Sequence, residues 1–147
     1  MNGALLVAEG TSAGLKVART IAGNLEARLA TIEAAQKPVY HAAAVFAANY
    51  VAVMLDIARR LMNSEGIVFP GLERELAALA ESAIANWETQ SGPMRFTGPA
   101  SRGDLAVVAR HLEALGGPSS TGRIYSALAT EILNSTGSPE VSERSTA

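Results

Sequence analysis

Lys37-Pro-Val-Tyr-His-Ala-Ala-Ala-Val-Phe-Ala-Ala-Asn-Tyr-Val-Ala-Val-Met-Leu-Asp56 is the stretch that decides how the rest of the chain is read. Alanine is the best helix former, and Pro38 suits the first helical turn, where a missing N–H costs nothing. No Gly or Pro follows until Gly66. The pattern predicts one helix over Pro38–Asn63, roughly 40 Å long at ~1.5 Å per residue. His41 and Asn49 stand eight residues apart, near two full turns, and so share a face. Lys37 lies one turn before His41. A helix this apolar on most sides is expected to be buried on most sides, and its His and Asn then need polar partners.

Upstream, Ala4-Leu-Leu-Val-Ala8 is a short apolar run that ends at Glu9-Gly10 and reads as a buried strand. Thr11 or Ser12 can cap a helix running to about Ala27, with Leu15, Ala18, Ala22 and Leu25 at helical spacing. Arg28-Leu-Ala-Thr-Ile32 follows as a second short strand. Such a β-α-β unit is too small for an independent sheet and reads as the trailing edge of something larger.

Downstream, Pro70 is expected to open a helix running to about Gln90, with Leu72, Leu76, Leu79, Ala83, Asn86 and Trp87 on its inner face. Residues 92–103 form a loop dense in Gly and Pro. Asp104 caps a helix through Leu115, a last helix spans about Gly122 to Leu133, and the polar residues from Gly137 onward read as a disordered tail. The expected division is a β-α-β remnant at 1–32, a helical domain at 33–136 and a tail at 137–147.

Composition narrows the classes. Aromatic residues make up only 5% against 48% hydrophobic, so Ala, Leu and Val do the packing and helices can approach closely. The 12 basic and 14 acidic residues are scattered, and without a basic stripe nucleic-acid binding is not expected. The absence of cysteine removes disulfides and thiolate metal ligands. The N-terminus lacks a basic region ahead of its apolar run, and the longest uncharged run, Ala42 to Leu55, falls short of the ~20 residues of a membrane span. A cytoplasmic protein with no membrane partner is expected.

Two histidines fall in the two most patterned stretches, His41 on the long helix and His111 seven residues after Asp104. Each can be a plain hydrogen-bonded residue, and without a third ligand they make no metal site. Thr97-Gly-Pro-Ala-Ser-Arg-Gly-Asp104 combines a hydroxyl, a cation and backbone N–H groups ahead of a helix. It can hold an anion there, or be only a turn with Asp104 as its N-cap. Arg102-Gly-Asp104 as an adhesion tripeptide is a chance match, and Trp87 is expected in the core. No Gly-x-Gly-x-x-Gly, phosphate loop, Gly-x-Ser-x-Gly or His-Glu-x-x-His is present, so a stand-alone dinucleotide site has no support.

Taken together, Tyr40-His-Ala-Ala-Ala-Val-Phe-Ala-Ala-Asn-Tyr50 and Phe96-Thr-Gly-Pro-Ala-Ser-Arg-Gly-Asp-Leu-Ala-Val-Val-Ala-Arg-His-Leu112 resemble the C-terminal helical domain of a family of NAD(P)-dependent oxidoreductases catalogued as domain of unknown function 2520. The wider group looks like the 6-phosphogluconate dehydrogenase superfamily. The resemblance covers about residues 4–133. It implies a mainly α fold, a helical bundle like the C-terminal domain of that superfamily, preceded by a β-α-β remnant of a Rossmann-like domain. It also implies NADP as the cofactor of the full-length family, a homodimer, and a small carboxylate or phosphate as substrate.

Carried over by position, the resemblance points to Tyr40, His41 and Asn49, and to Thr97, Gly98, Pro99, Arg102, Asp104 and His111. Ala48 stands where such families write Ser, which removes one hydroxyl contact. Lys37 sits where some superfamily members place a polar or catalytic lysine. On this reading His41 or Lys37 is the general acid as hydride arrives, Asn49 orients the substrate, and Arg102 with the Thr97 loop holds its anionic group. The nucleotide-binding half is not in these residues, so the chain alone is not expected to bind NADP, and that half can be a separate polypeptide. The rival reading is a non-catalytic helical dimerisation module. A degenerate fragment without activity is the third.

Overall fold

The computed structural model describes residues 3–137. The fold is mainly α with a short parallel sheet at its start, and it divides into two compact units at Met54–Leu55, inside the long helix. The disordered tail expected from Gly137 onward lies, from residue 138, outside the described residues.

The first unit opens with β1 (Leu5–Ala8), helix α1 (Ser12–Asn24) and β2 (Arg28–Thr31). The strands pair in parallel, Leu5 opposite Arg28 through Ala8 opposite Thr31. Thr11 is the N-cap of α1, its hydroxyl oxygen accepting from the Gly14 N–H at 3.3 Å. The helix stops at Asn24, three residues short of the expected Ala27. Glu26 turns left-handed at φ 52, and the Ala27 N–H reaches back to the Ala22 carbonyl at 2.9 Å. That closure satisfies the last carbonyls and lets the Arg28 N–H pair with the Ala4 carbonyl at 2.8 Å.

A 3-10 turn, Ala34–Gln36, leads into α2 (Lys37–Ala47) and α3 (Asn49–Ser64). The single helix expected over Pro38–Asn63 is interrupted at Ala48, whose φ of −120° and ψ of −65° leave the helical region. The hydrogen-bond ladder still crosses the break, from Ala48 N–H to the Ala44 carbonyl at 3.0 Å and from Ala52 N–H to the Ala48 carbonyl at 3.4 Å. Gly66 at φ 70 then ends α3, with the Ile67 N–H on the Met62 carbonyl at 2.9 Å.

The expectation that this helix is buried fails. Neither α2 nor α3 contains a buried residue. Alanine propensity is enough to form α2, and cover along the helix is only partial, with Val51, Met54, Leu55, Ile57, Ala58 and Met62 of α3 half-buried. By length and composition the helical span Ala34–Ser64, with mean hydropathy 1.5 in its most apolar window, reaches what a membrane crossing needs. The shorter count of Ala42 to Leu55 missed this because it stopped at charges.

In the second unit α4 (Leu72–Thr89) begins at Leu72 rather than Pro70, because Gly71 takes the left-handed N-cap position at φ 89. Leu72 is buried, and Leu76, Ala80 and Asn86 are half-buried. Leu79, Ala83 and Trp87, expected inside, are exposed. Trp87 carries the Arg95 guanidinium 4.5 Å from its ring centre instead. The 92–103 loop folds into two 3-10 turns, Gly92–Arg95 and Ala100–Arg102. Asn86 Nδ2 ties the first to α4 by donating to the Met94 and Arg95 carbonyls at 3.2 and 3.0 Å.

The core of this unit lies between α5 (Leu105–Ala114), α6 (Ser120–Thr136) and the second 3-10 turn. Val108 and Leu133 are its fully buried large side chains, joined by Ala100 and Ala129. Helix α6 starts before the expected Gly122 because Ser119 caps it, its hydroxyl accepting from the Gly122 N–H at 3.0 Å, and it runs past Leu133 to Thr136, where Gly137 closes it at φ 70. Gly122 is buried, and a Cβ built there would fall on the Gly117 carbonyl oxygen.

Two stability predictions follow from this packing. Leu133→Ala is expected to lower unfolding free energy by about 2–5 kcal/mol in urea titration. Gly→Ala within a helix ordinarily stabilises by about 0.5–1 kcal/mol. Gly122→Ala is expected to reverse that sign and destabilise by about 1–3 kcal/mol through overpacking against Gly117.

Candidate functional site

Two parallel strands joined through a helix bring their carboxyl ends to the same edge, and in α/β sheets ligands bind outside that edge. Here Glu9-Gly10 follows β1 and Ile32-Glu33 follows β2, and together with Leu15, Thr31 and Gln36 they line a hollow of about 550 Å³. Ala34 is shared with an adjoining hollow of about 410 Å³, lined by Lys37, Pro38, Tyr40 and His41. The Lys37 ammonium donates to Glu9 Oε2 at 3.0 Å, so an ion pair links a residue of one hollow to a residue of the other.

Local chemistry fixes the shape of this edge. The Glu33 N–H donates to Gln36 Oε1 at 2.8 Å, and the Glu33 carboxylate takes the Gln36 N–H in return. This capping box starts the 3-10 turn that delivers Lys37 and Pro38 to the first turn of α2. Lys37 and His41, four residues apart, then lie on one face. An ammonium and an imidazole thus line one hollow and a carboxylate the adjoining one, a set able to bind a polar ligand and to hand over a proton. Asn49 opens α3 and is exposed, outside the lining of either hollow.

The other expected residues belong to the second unit. Thr97, Pro99 and Ala100 face Tyr125, Leu128, Ala129 and Ile132 of α6 across a hollow of about 250 Å³. His111 Nδ1 and the Tyr125 hydroxyl are 2.8 Å apart, with their rings edge to face at 5.7 Å. Burial pushes the Tyr125 phenol above its ordinary value. Asp104 Oδ1 accepts from the Val107 N–H at 3.2 Å as the N-cap of α5. Arg102 is exposed.

A fourth hollow is lined by Leu55, Asp56, Arg59, Glu73 and Leu76, and its Asp56 is already paired. The Asp56 carboxylate bridges Arg59 at 2.7 Å and Arg60 at 3.0 Å, and the Arg59 bond holds its pKa below the usual carboxylate range. Among the described residues no three metal-ligating side chains converge.

Two residues of these sites, Glu9 and Tyr125, are not among the site residues expected from the sequence. Glu9 lies 28 residues before Lys37, and its position directly after a strand was the one available signal. Tyr125 lies 14 residues after His111 on the next helix, a separation no local spacing rule reaches.

The comparisons with known proteins match this architecture. A family described as "Domain of unknown function (DUF2520)" matches residues 4–132. The solved structure of protein TM1727 from Thermotoga maritima matches with a TM-score of 0.77 at 22% identity, covering 90% of this chain and 53% of that one. A Bacteroides fragilis protein described as "putative NADP oxidoreductase BF3122" matches with a TM-score of 0.69 at 23% identity, covering 85% of this chain and 47% of that one. These likenesses show the fold, and the chain spans about half the length of each. No curated protein matches.

The phenol–imidazole pair yields a prediction with a defined sign. Tyr125→Phe is expected to cost about 0.5–1.5 kcal/mol at neutral pH through the lost hydrogen bond. Because the folded phenol titrates above its unfolded value, its contribution is complete below about pH 10 and is lost as pH rises through the folded value. Urea titrations across that range are expected to show this alkaline loss in the parent chain and its absence in Tyr125→Phe.

Proposed function

Because the chain belongs to the DUF2520 family, we propose that it is the substrate-binding and dimerisation half of an NADP-dependent oxidoreductase. The observation that carries the reading is the pair of adjoining hollows, one at the carboxyl ends of β1 and β2 and the next lined by Lys37 and His41. Lys37 or His41 supplies a proton to a substrate oxygen or nitrogen. Asn49 orients the substrate. Residues 1–32 are the last part of a Rossmann-like domain, 33–136 the helical domain, and the protein is cytoplasmic.

The residues of this chain do not fit NADP by themselves. The turn after β1, Glu9-Gly10-Thr11-Ser12, has one glycine, and its carboxylate would face a pyrophosphate with like charge. A Cβ at Gly14 would meet only the Thr11 hydroxyl at 3.6 Å, so that glycine marks no phosphate cradle. In this reading the cofactor is held by a nucleotide-binding half of the kind that would fill the remaining length of the relatives. What this chain contributes is positioning and proton delivery.

A second reading, the non-catalytic helical module, is favoured by one observation: the Lys37 ammonium is already engaged by Glu9. Backbone NMR titration separates the two. Small 2-oxo and 2-hydroxy carboxylates at millimolar concentration are expected to move the amides of residues 9–11 and 31–41, while NADPH alone leaves them in place. Lys37→Met and His41→Ala are each expected to weaken that response by roughly tenfold, as loss of one charge-assisted hydrogen bond does. Carboxylates that move no amide of this edge would leave the module reading standing.

A further inference from the structure

Lys37 lines one hollow of the first unit and Glu9 the adjoining one, and their charges meet at 3.0 Å. The Lys37 side chain is 68% exposed and that of Glu9 29%. An exposed ion pair of this kind adds little to the stability of a fold. An ammonium carries three N–H donors, and a carboxylate has two acceptor oxygens. Glu9 takes one donor through Oε2, so two donors and the Oε1 oxygen stay open among the described residues. Both charges can still receive a ligand, and they are held side by side.

From this pair we infer that the site takes an α-amino carboxylate, a zwitterion whose carboxylate meets Lys37 and whose ammonium meets Glu9. The inference rests on the substrate-binding part of the proposed function and names its substrate class. Bond lengths set the ammonium nitrogen and a carboxylate oxygen of such a ligand about 2.7–3.5 Å apart. That spacing matches the 3.0 Å between Lys37 Nζ and Glu9 Oε2. Laid against the pair, the ligand closes a ring of four charges that alternate in sign. Each charge then has two opposite neighbours, and the Lys37–Glu9 contact does not have to break.

Ligands with one charge fit this pair less well. A plain carboxylate reaches Lys37 only beside the Glu9 carboxylate, which repels it, and Glu33 adds a second carboxylate to the lining of the Glu9 hollow. An amine without a carboxylate meets Glu9 but is repelled by Lys37. Around the charges Leu15, Ile32, Ala34 and Pro38 line the two hollows, so the side chain of the ligand is expected to be apolar. Glu9 is then a specificity-determining residue. It turns a lysine open to any anion into one that prefers an anion carrying its own ammonium.

A matched set of probes tests this on the full chain by backbone NMR titration: 2-aminobutyrate, 2-hydroxybutyrate, 2-aminobutan-1-ol and 4-aminobutyrate. The last keeps both charges but sets two more carbons between them. 2-Aminobutyrate is expected to move the amides of residues 9–11 and 31–41 with a Kd about tenfold below each of the others, the worth of roughly one charge-assisted hydrogen bond. Glu9→Gln is expected to weaken 2-aminobutyrate about tenfold and to strengthen 2-hydroxybutyrate, because the repelling charge is gone. A Glu9 that only shapes the edge would weaken both ligands alike, and that result overturns the inference. Should Glu9→Gln disturb the fold of this unit, the ranking of the four probes on the parent chain decides by itself. Binding of 2-hydroxybutyrate or 4-aminobutyrate as tight as that of 2-aminobutyrate would overturn the inference and leave the substrate-binding reading intact. A chain in which no probe moves these amides would overturn both.

Discussion

Parallel pairing of β1 and β2 is the constraint on which the candidate site depends. Parallel strands cannot be joined by a tight turn, so α1 must carry the chain back to the starting edge. Glu9 and Ile32-Glu33 then emerge side by side, and the capping box at Glu33 sends the chain into α2 with Lys37 within reach of Glu9. An antiparallel hairpin of the same two strands would place these residues at opposite ends. The chemistry of the cleft is a consequence of strand direction before it is a matter of side chains.

The same two strands show why this unit seeks company. Parallel sheets are normally covered on both faces and rarely stop at two strands. Here Leu5 is exposed on β1, and Val17, Ile21 and Leu25 form an exposed stripe along α1. Val39 and Phe46 of α2 are exposed as well, so the first unit presents apolar surface in more than one direction.

Much of the fold was legible because its signals are local. The two strands, Thr11 and Asp104 as N-caps and Gly66 as a helix stop are all decided within a few residues. Errors arose where burial had to be inferred from apolarity. The long helix reads as a core element yet has no fully buried residue, and Leu79 and Trp87 of α4 are exposed although their spacing fits an inner face. Periodicity says which residues share a face, not whether another element arrives to cover it. Of the site, Lys37, Tyr40 and His41 came from local pattern and resemblance. The Lys37 partner Glu9 and the His111 partner Tyr125 depend on tertiary contact, which a single sequence does not encode at short range.

The close approach of Gly122 to the Gly117 carbonyl has an evolutionary corollary. The connection between α5 and α6 is short because α6 starts with no side chain in the way. A relative bearing any larger residue at that position would have to lengthen the intervening turn or lift the carbonyl, so the two changes should be inherited together. Loss of the glycine is therefore tolerated only where this turn has already lengthened or shifted.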